Sequence, residues 1–90
     1  MAVLMTAELP GATKEMIDGM FAQLKEPQQK AQGFVVHVNG PTLTGWRVTE
    51  VWDSQADFES WFDSHVKPAF PEGAPMPSIT FDELNAVLTA

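Results

Sequence analysis

A predicted strand that runs directly into a capped helix is the feature that most limits the folds open to this chain. In residues 45–62, GWRVTEVWDSQADFESWF, two tryptophans and Glu50 fall at alternate positions, so a strand would place all three on one face. Ser54, followed by an aspartate three residues later, predicts the N-cap of a helix that ends near Lys67, before Pro68. A strand followed directly by a helix indicates a sheet with a helix packed on it.

The remaining sequence predicts three more strands and one more helix. Apolar runs bounded by glycine, proline or asparagine predict the strands, and apolar residues three and four positions apart predict the helix. Thr13 is its predicted N-cap, and Pro27 either ends it or begins one more turn. The predicted strands are 2–9, 34–39, 46–53 and 78–84.

The order is therefore β-α-β-β-α-β, which predicts an α+β, ferredoxin-like fold with a four-stranded antiparallel sheet. Helices would cover one face of that sheet and leave the other open. A chain of 90 residues buries only roughly 60–65% of its unfolded surface, so its own core is small. A second copy packed on the open face would enlarge the core, and we expect a homodimer.

The two middle strands are predicted to form a hairpin. If residues 40–45 are its loop, Asn39 lies opposite Trp46, His37 opposite Val48 and Val35 opposite Glu50. Phe34, Val36 and Val38 would then occupy the other face of their strand. Side chains opposite each other lie on the same face of a sheet. The predicted shared surface comprises His37, Asn39, Trp46, Glu50 and Trp52.

Charge and composition exclude several classes of partner. Five basic residues against 12 acidic ones give a net charge of −7, and the basic residues are scattered, so neither nucleic acid nor an anionic membrane is an expected partner. The chain has no cysteine, which excludes disulfides and thiolate ligands. The N-terminus lacks a basic region and a long apolar run, so we expect a cytoplasmic protein.

Three segments carry a resemblance to a known family. ELPGATKEMIDGM, GFVVHVNGP and GWRVTEVWDSQADFESWF together resemble the dimeric α/β-barrel superfamily, in particular its small antibiotic-biosynthesis-monooxygenase-like proteins. The similarity covers nearly the whole chain, which implies that residues 1–90 form a single domain of that kind. It also implies two ferredoxin-like subunits packed sheet to sheet, each with a pocket between sheet and helices. Members include cofactor-independent monooxygenases, heme-degrading enzymes, polyketide cyclases and small isomerases.

Two site patterns of that superfamily are incomplete here. The quinone-forming monooxygenases place an asparagine and a tyrosine where this chain has Val48 and Phe58. The heme-degrading branch uses a helix tryptophan, matched by Trp61, with a histidine where Pro71 stands and an asparagine where Thr6 or a neighbour stands. The resemblance therefore implies that heme is not degraded, and we expect no cofactor.

His37 is the candidate catalytic residue because histidine exchanges protons near neutral pH. Alternatively, it is a half-buried strand residue bonded to the backbone or to Glu50, whose carboxylate is costly to bury without a partner. We expect the face of Trp46, Glu50 and Trp52, with His37 beside it, to border the main pocket and not to form a closed core, so replacing His37 with alanine should change thermal stability by only a few degrees. The candidate substrate-binding residues are Asn39, Trp46, Glu50, Trp52, Trp61 and His65.

Two functions of different class remain open. The first is a cofactor-independent monooxygenase, cyclase or isomerase that acts on an aromatic or polyketide-like molecule. The second is a non-catalytic dimer that binds a small hydrophobic molecule, which the incomplete monooxygenase pattern favours. The histidines and carboxylates lack the spacing of a metal site, so no metal is expected.

Overall fold

The computed structural model describes all 90 residues, and its elements follow the predicted order. Four strands form one antiparallel sheet in the spatial order β2-β3-β1-β4, with both helices on one face. The ferredoxin-like α+β prediction is confirmed. The elements are β1 (Val3–Pro10), α1 (Lys14–Gln29), β2 (Phe34–Pro41), β3 (Gly45–Trp52), α2 (Gln55–Trp61) and β4 (Ser78–Glu83).

Both predicted helix caps are confirmed. The Thr13 hydroxyl accepts a hydrogen bond from the backbone N–H of Met16 at 3.3 Å, and the Ser54 hydroxyl accepts one from Asp57 at 3.1 Å. Each bond satisfies an N–H that lacks a partner within the first helical turn. Local sequence therefore sets where both helices begin.

Helical structure continues past a proline at two places, of which the first, an additional turn from Pro27, was one of the two predicted alternatives. Pro27 lies inside α1, which continues to Gln29. After α2 the chain remains helical through a π-helical turn, Phe62–Val66, and a 3₁₀ turn, Lys67–Ala69. The prediction that the second helix stops before Pro68 is thus wrong, because the tighter 3₁₀ turn accommodates proline near its start.

The β2–β3 hairpin differs in register from the prediction. His37 lies opposite Glu50, whereas Val48 was predicted there, and the pairing from Val36 to Pro41 is shifted by two residues. Both strands are longer at the hairpin end than predicted, so a turn at residues 42–45 replaces the six-residue loop. A hydrogen bond from the backbone N–H of Thr42 to the carbonyl of Gly45, at 3.0 Å, closes this turn. Because the shift is even, the face of each β3 side chain is unchanged.

A β-bulge in β2 corrects a second prediction. Phe34 pairs with Trp52, yet Val36 pairs with Val51, so Val35 is an extra residue between them. Alternation would have placed Phe34 on the face of Val36. The bulge instead brings Phe34 to the helix-covered face, where its ring meets that of Trp52 edge-on at 5.5 Å.

The core lies between the sheet and the helices, on what we term the covered face. Trp52 is fully buried at its centre, with Phe58 edge-on at 5.8 Å and Trp61 at 6.3 Å between ring centroids. Such aromatic contacts add to the gain from burying apolar area. The buried apolar residues of this core are Val3, Met5, Ala7, Trp52, Phe58 and Trp61.

The opposite side of the sheet, the open face, has no helix against it. Val36 and Val38 remain 38% and 56% exposed there, beside Thr49 and Val51 on β3. An apolar strip along two neighbouring strands costs free energy while it faces water. None of the helices has both the length and the apolar character needed to cross a bilayer.

Candidate functional site

An apolar cavity of about 90 Å³ lies between the covered face and the helices. Met5, Ala7 and Val48 of the sheet form its floor. The pocket between sheet and helices that the family resemblance implies is therefore present. Side chains from the helices and the following loop complete the wall, among them Ile17, Met20, Leu24, Trp61, Phe62 and Phe70.

Three polar residues reach this otherwise apolar wall: Lys25, Gln28 and Glu50. Gln28 and Glu50 are only 5% and 4% exposed, while Lys25 is exposed to solvent. A buried carboxylate needs hydrogen-bond donors to offset its lost hydration. The cavity thus has one polar side, at the point where α1 crosses β3.

The Glu50 carboxylate receives three hydrogen bonds. Its Oε1 accepts from the indole N–H of Trp52 at 2.9 Å. Its Oε2 accepts from the Gln28 amide at 2.6 Å and from Nδ1 of His37 at 2.6 Å. An indole and an amide nitrogen can only donate, so the carboxyl oxygens act as acceptors towards both.

Further hydrogen bonds continue from His37 to the edge of the sheet. The indole N–H of Trp46 donates to Oδ1 of Asn39 at 3.0 Å, which turns the Asn39 amide N–H₂ towards Nε2 of His37 at 2.9 Å. Nε2 must therefore accept, and the proton of the neutral ring lies on Nδ1, facing Glu50. We call the set of Gln28, His37, Asn39, Trp46, Glu50 and Trp52 the Glu50 network.

The predicted shared surface exists, but most of it does not face the cavity. His37, Asn39 and Trp46 lie towards the outer edge of the covered face, and Trp52 is enclosed by the core. Only Glu50 among these five residues lines the cavity. Both ring nitrogens of His37 are occupied within the Glu50 network, so in this arrangement neither is free to meet a ligand.

The two candidate residues on the second helical segment, Trp61 and His65, also differ in whether they line the cavity. Trp61 lines the cavity and is 4% exposed. His65, one turn later, is exposed and stacks on the outer side of Trp61, with 4.7 Å between ring centroids and 18° between planes. His65 thus lies on the side of Trp61 that faces away from the cavity. It affects the cavity only by helping to position the Trp61 ring.

Sequence reasoning missed Gln28. It lies four residues after Leu24 and eleven after Ile17, which places it on the buried side of α1. A polar residue that continues an apolar stripe is the signal that could have identified it. Its amide matters because it supplies Glu50 with a donor from the helix, opposite the two donors from the sheet.

No three histidine, aspartate or glutamate side chains gather in a way that could hold a metal ion. Every buried side-chain nitrogen and oxygen has a hydrogen-bond partner. The Glu50 network therefore provides a fixed, negatively charged hydrogen-bond acceptor at the wall of an apolar cavity.

No family model matches the sequence, and no curated protein matches it at a significant level. Solved structures, however, share its fold. A heme-free form of the heme-degrading protein of Mycobacterium tuberculosis has a TM-score of 0.64 at 19% identity, covering 99% of this chain and 100% of that one. A putative antibiotic biosynthesis monooxygenase from Deinococcus radiodurans has a TM-score of 0.65 at 13% identity, covering 100% and 98%. The structural-genomics protein YJCS has a TM-score of 0.66 at 15% identity, covering 94% and 100%.

The chain has the fold of the antibiotic-biosynthesis-monooxygenase-like proteins. The resemblance noted in the sequence is confirmed at that level. Identities of 13–19% establish the fold alone, because one scaffold of this kind supports unrelated activities. The features particular to this chain are its cavity and the Glu50 network.

Proposed function

We propose that this protein binds a small hydrophobic or aromatic molecule in the cavity between sheet and helices. The observation that carries the proposal is the composition of the wall, in which apolar side chains surround a single polar side formed by Gln28 and Glu50. Ligand sites are typically apolar concavities with a few well-placed polar groups. Two proteins of the same fold support it: one binds hemes in its active site, and another is a putative monooxygenase.

The cavity volume limits the size of the ligand. An engineered apolar cavity of roughly 150 Å³ binds benzene, and drug-sized ligands occupy roughly 300–1,000 Å³. At about 90 Å³, this cavity fits a single ring only after a small expansion. A polycyclic ligand requires the loop that carries Phe70 and Pro77 to move away from the sheet.

We propose further that the active form is a cytoplasmic homodimer. The exposed apolar strip at Val36 and Val38 supports it, because a second sheet would remove that strip from water. The cavity lies on the other side of the sheet, so each subunit would keep its own site.

A cofactor-independent monooxygenase, cyclase or isomerase is the second candidate, and the contact between Glu50 and His37 favours it. Glu50 faces the cavity, so its carboxylate is placed to accept a proton from a bound substrate. His37 would act as a positioning residue that holds and polarises the carboxylate from behind. In an oxygenase, the substrate carbanion so formed would react with dioxygen.

A cavity-filling variant tests the binding proposal. Val48→Phe should abolish the chemical-shift changes that toluene or naphthalene causes at the methyl groups of Ile17 and Leu24, because the added ring occupies the cavity. Val87→Phe, in the exposed tail, is the matched control and should bind as the wild type does. Circular dichroism confirms that both variants fold. Unchanged binding by a folded Val48→Phe variant would exclude this cavity as the site.

We expect heme to remain intact when it is incubated with the protein and a reductant. The β1 residues that line the cavity are Met5, Ala7 and Leu9, Thr6 lies on the opposite side of the strand, and Pro71 is exposed. No asparagine or histidine therefore occupies the places that the heme-degrading pattern requires. The heme absorption band should persist, and a bilin-like product spectrum would contradict this expectation.

A further inference from the structure

We infer that the preferred ligand of this cavity is an aromatic molecule that carries a hydrogen-bond donor, such as a phenol, an indole or an arylamine, and that Glu50 selects it. The inference rests on the proposed binding function and extends it from shape to chemistry. Three properties of the Glu50 carboxylate carry it: its charge, the absence of a cation bonded to it, and its remaining capacity to accept.

The charge follows from the direction of the hydrogen bonds. From Trp46 through Asn39 and His37, each group donates to the next, and the series ends on Glu50. Three N–H groups and no acceptor face the carboxylate, an arrangement that suits its ionised form. The network therefore presents Glu50 at the cavity wall as a hydrogen-bond acceptor.

No lysine or arginine is bonded to this carboxylate. The three groups bonded to Glu50 are an amide, an indole and an imidazole that is neutral in this arrangement. Lys25 reaches the same wall but forms no ion pair with Glu50, and Arg47 is paired with Glu8 on the open face. A ligand thus meets an uncompensated negative charge in surroundings of low polarity, where electrostatic effects are strong.

One acceptor position of the carboxylate is left for a ligand. A carboxylate has about four lone-pair positions, two on each oxygen. Oε2 uses two, for Gln28 and His37, and Oε1 uses one, for Trp52. This count leaves Oε1 able to accept one more hydrogen bond, so a ligand O–H or N–H that reaches it displaces no protein donor.

Together these properties set a ranking for ligands of equal size. A donor group gains a charge-assisted hydrogen bond, a methyl group gains only apolar contact, and a carboxylate is repelled. A hydrogen bond to a charged group corresponds to about ten- to a hundredfold in affinity. Phenol should bind about tenfold or more tightly than toluene, and toluene more tightly than benzoate.

The test is a titration of the intact protein with phenol, toluene and benzoate, followed by NMR shifts of the methyl groups of Ile17 and Val48. Equal affinity for phenol and toluene, or benzoate binding as tightly as phenol, would overturn the inference while leaving cavity binding intact. Tight binding of benzoate would indicate Lys25 as the dominant charge at the site. If none of the three shifts these methyl groups, the proposed function fails as well.

Two variants separate the role of Glu50 from the overall acidity of the protein. Glu50→Gln should lose most of the preference for phenol over toluene, whereas Glu8→Gln removes a charge from the open face and should keep the wild-type ratio. If Glu50→Gln does not fold, the wild-type ranking of the three ligands still decides. An unchanged ratio in a folded Glu50→Gln variant would exclude Glu50 as the selecting group.

Discussion

Glu50 and Glu8 lie on neighbouring strands of one sheet and face opposite sides of it. The Glu50 side chain is 5% exposed and is held by three neutral donors, all on the covered face. The Glu8 side chain is 37% exposed and pairs with the guanidinium of Arg47 at 2.5 Å on the open face. The same residue type is therefore used in two different ways within one sheet.

The difference shows which polar groups of the protein cost the most free energy when they lose a partner. An exposed ion pair contributes about 0–1 kcal/mol to stability because water solvates both partners when they separate. A buried carboxylate has no such alternative, and each donor that it loses leaves a group without a partner. The covered face thus commits its polar residues to one arrangement, whereas the open face leaves its residues adaptable to a second subunit.

The largest expected effect is on the covered face itself. Trp52→Ala should lower the free energy of unfolding by about 3–5 kcal/mol, because the cavity left by a fully buried indole is only partly refilled. Urea denaturation measures the loss. Val38→Ala on the open face is the control and should cost less than about 1 kcal/mol. Equal losses would show that the two faces of the sheet contribute equally to the free energy of unfolding.

The two glutamates give a matched pair. Glu50→Gln should cost about 2–4 kcal/mol, because the new amide N–H₂ faces groups that can only donate. Glu8→Gln should cost less than about 1 kcal/mol, as for other exposed ion pairs. Denaturation curves of both variants at one protein concentration make the comparison. A Glu50 variant as stable as the Glu8 variant would remove the physical basis for the Glu50 network.

His37→Ala should have an intermediate effect. Loss of one hydrogen bond to a buried carboxylate costs about 1–2 kcal/mol, or roughly 5–10 °C in melting temperature for a domain of this size. This exceeds the few degrees expected from sequence, which took His37 to border a pocket. His37→Gln, which can donate from a similar position, should recover part of the loss. A melting temperature unchanged in His37→Ala would show that the bond to Glu50 contributes nothing.

The smallest effect on stability is expected at the open face. Val38→Lys should leave the unfolding of the isolated chain within about 0.5 kcal/mol, since this side chain is already 56% exposed. It should nevertheless separate the proposed homodimer, because a charge would be buried between two sheets. Light scattering should then give the 9.9 kDa of one chain, against twice that for the wild type. A wild type that is already monomeric would refute the dimer.

The order of elements and the helix starts could be predicted because they depend on neighbours in sequence. Thr13 and Ser54 cap helices through residues three positions away, and alternation placed Glu50 on the correct face. The hairpin register could not be predicted, since it depends on where the turn closes. The set of residues that line the cavity could not be predicted either, because α1 brings Gln28 against β3 only in the tertiary structure.

The bulge at Val35 has a consequence at the level of the gene. Phe34 and His37 are three positions apart and both contribute to the covered face, which a regular strand does not allow. Deleting the single codon for Val35 would remove the bulge and leave Phe34 and His37 two positions apart, a spacing at which a regular strand also places both side chains on one face. Relatives that keep both contacts should therefore have these two residues either three positions apart with a bulge or two positions apart without one.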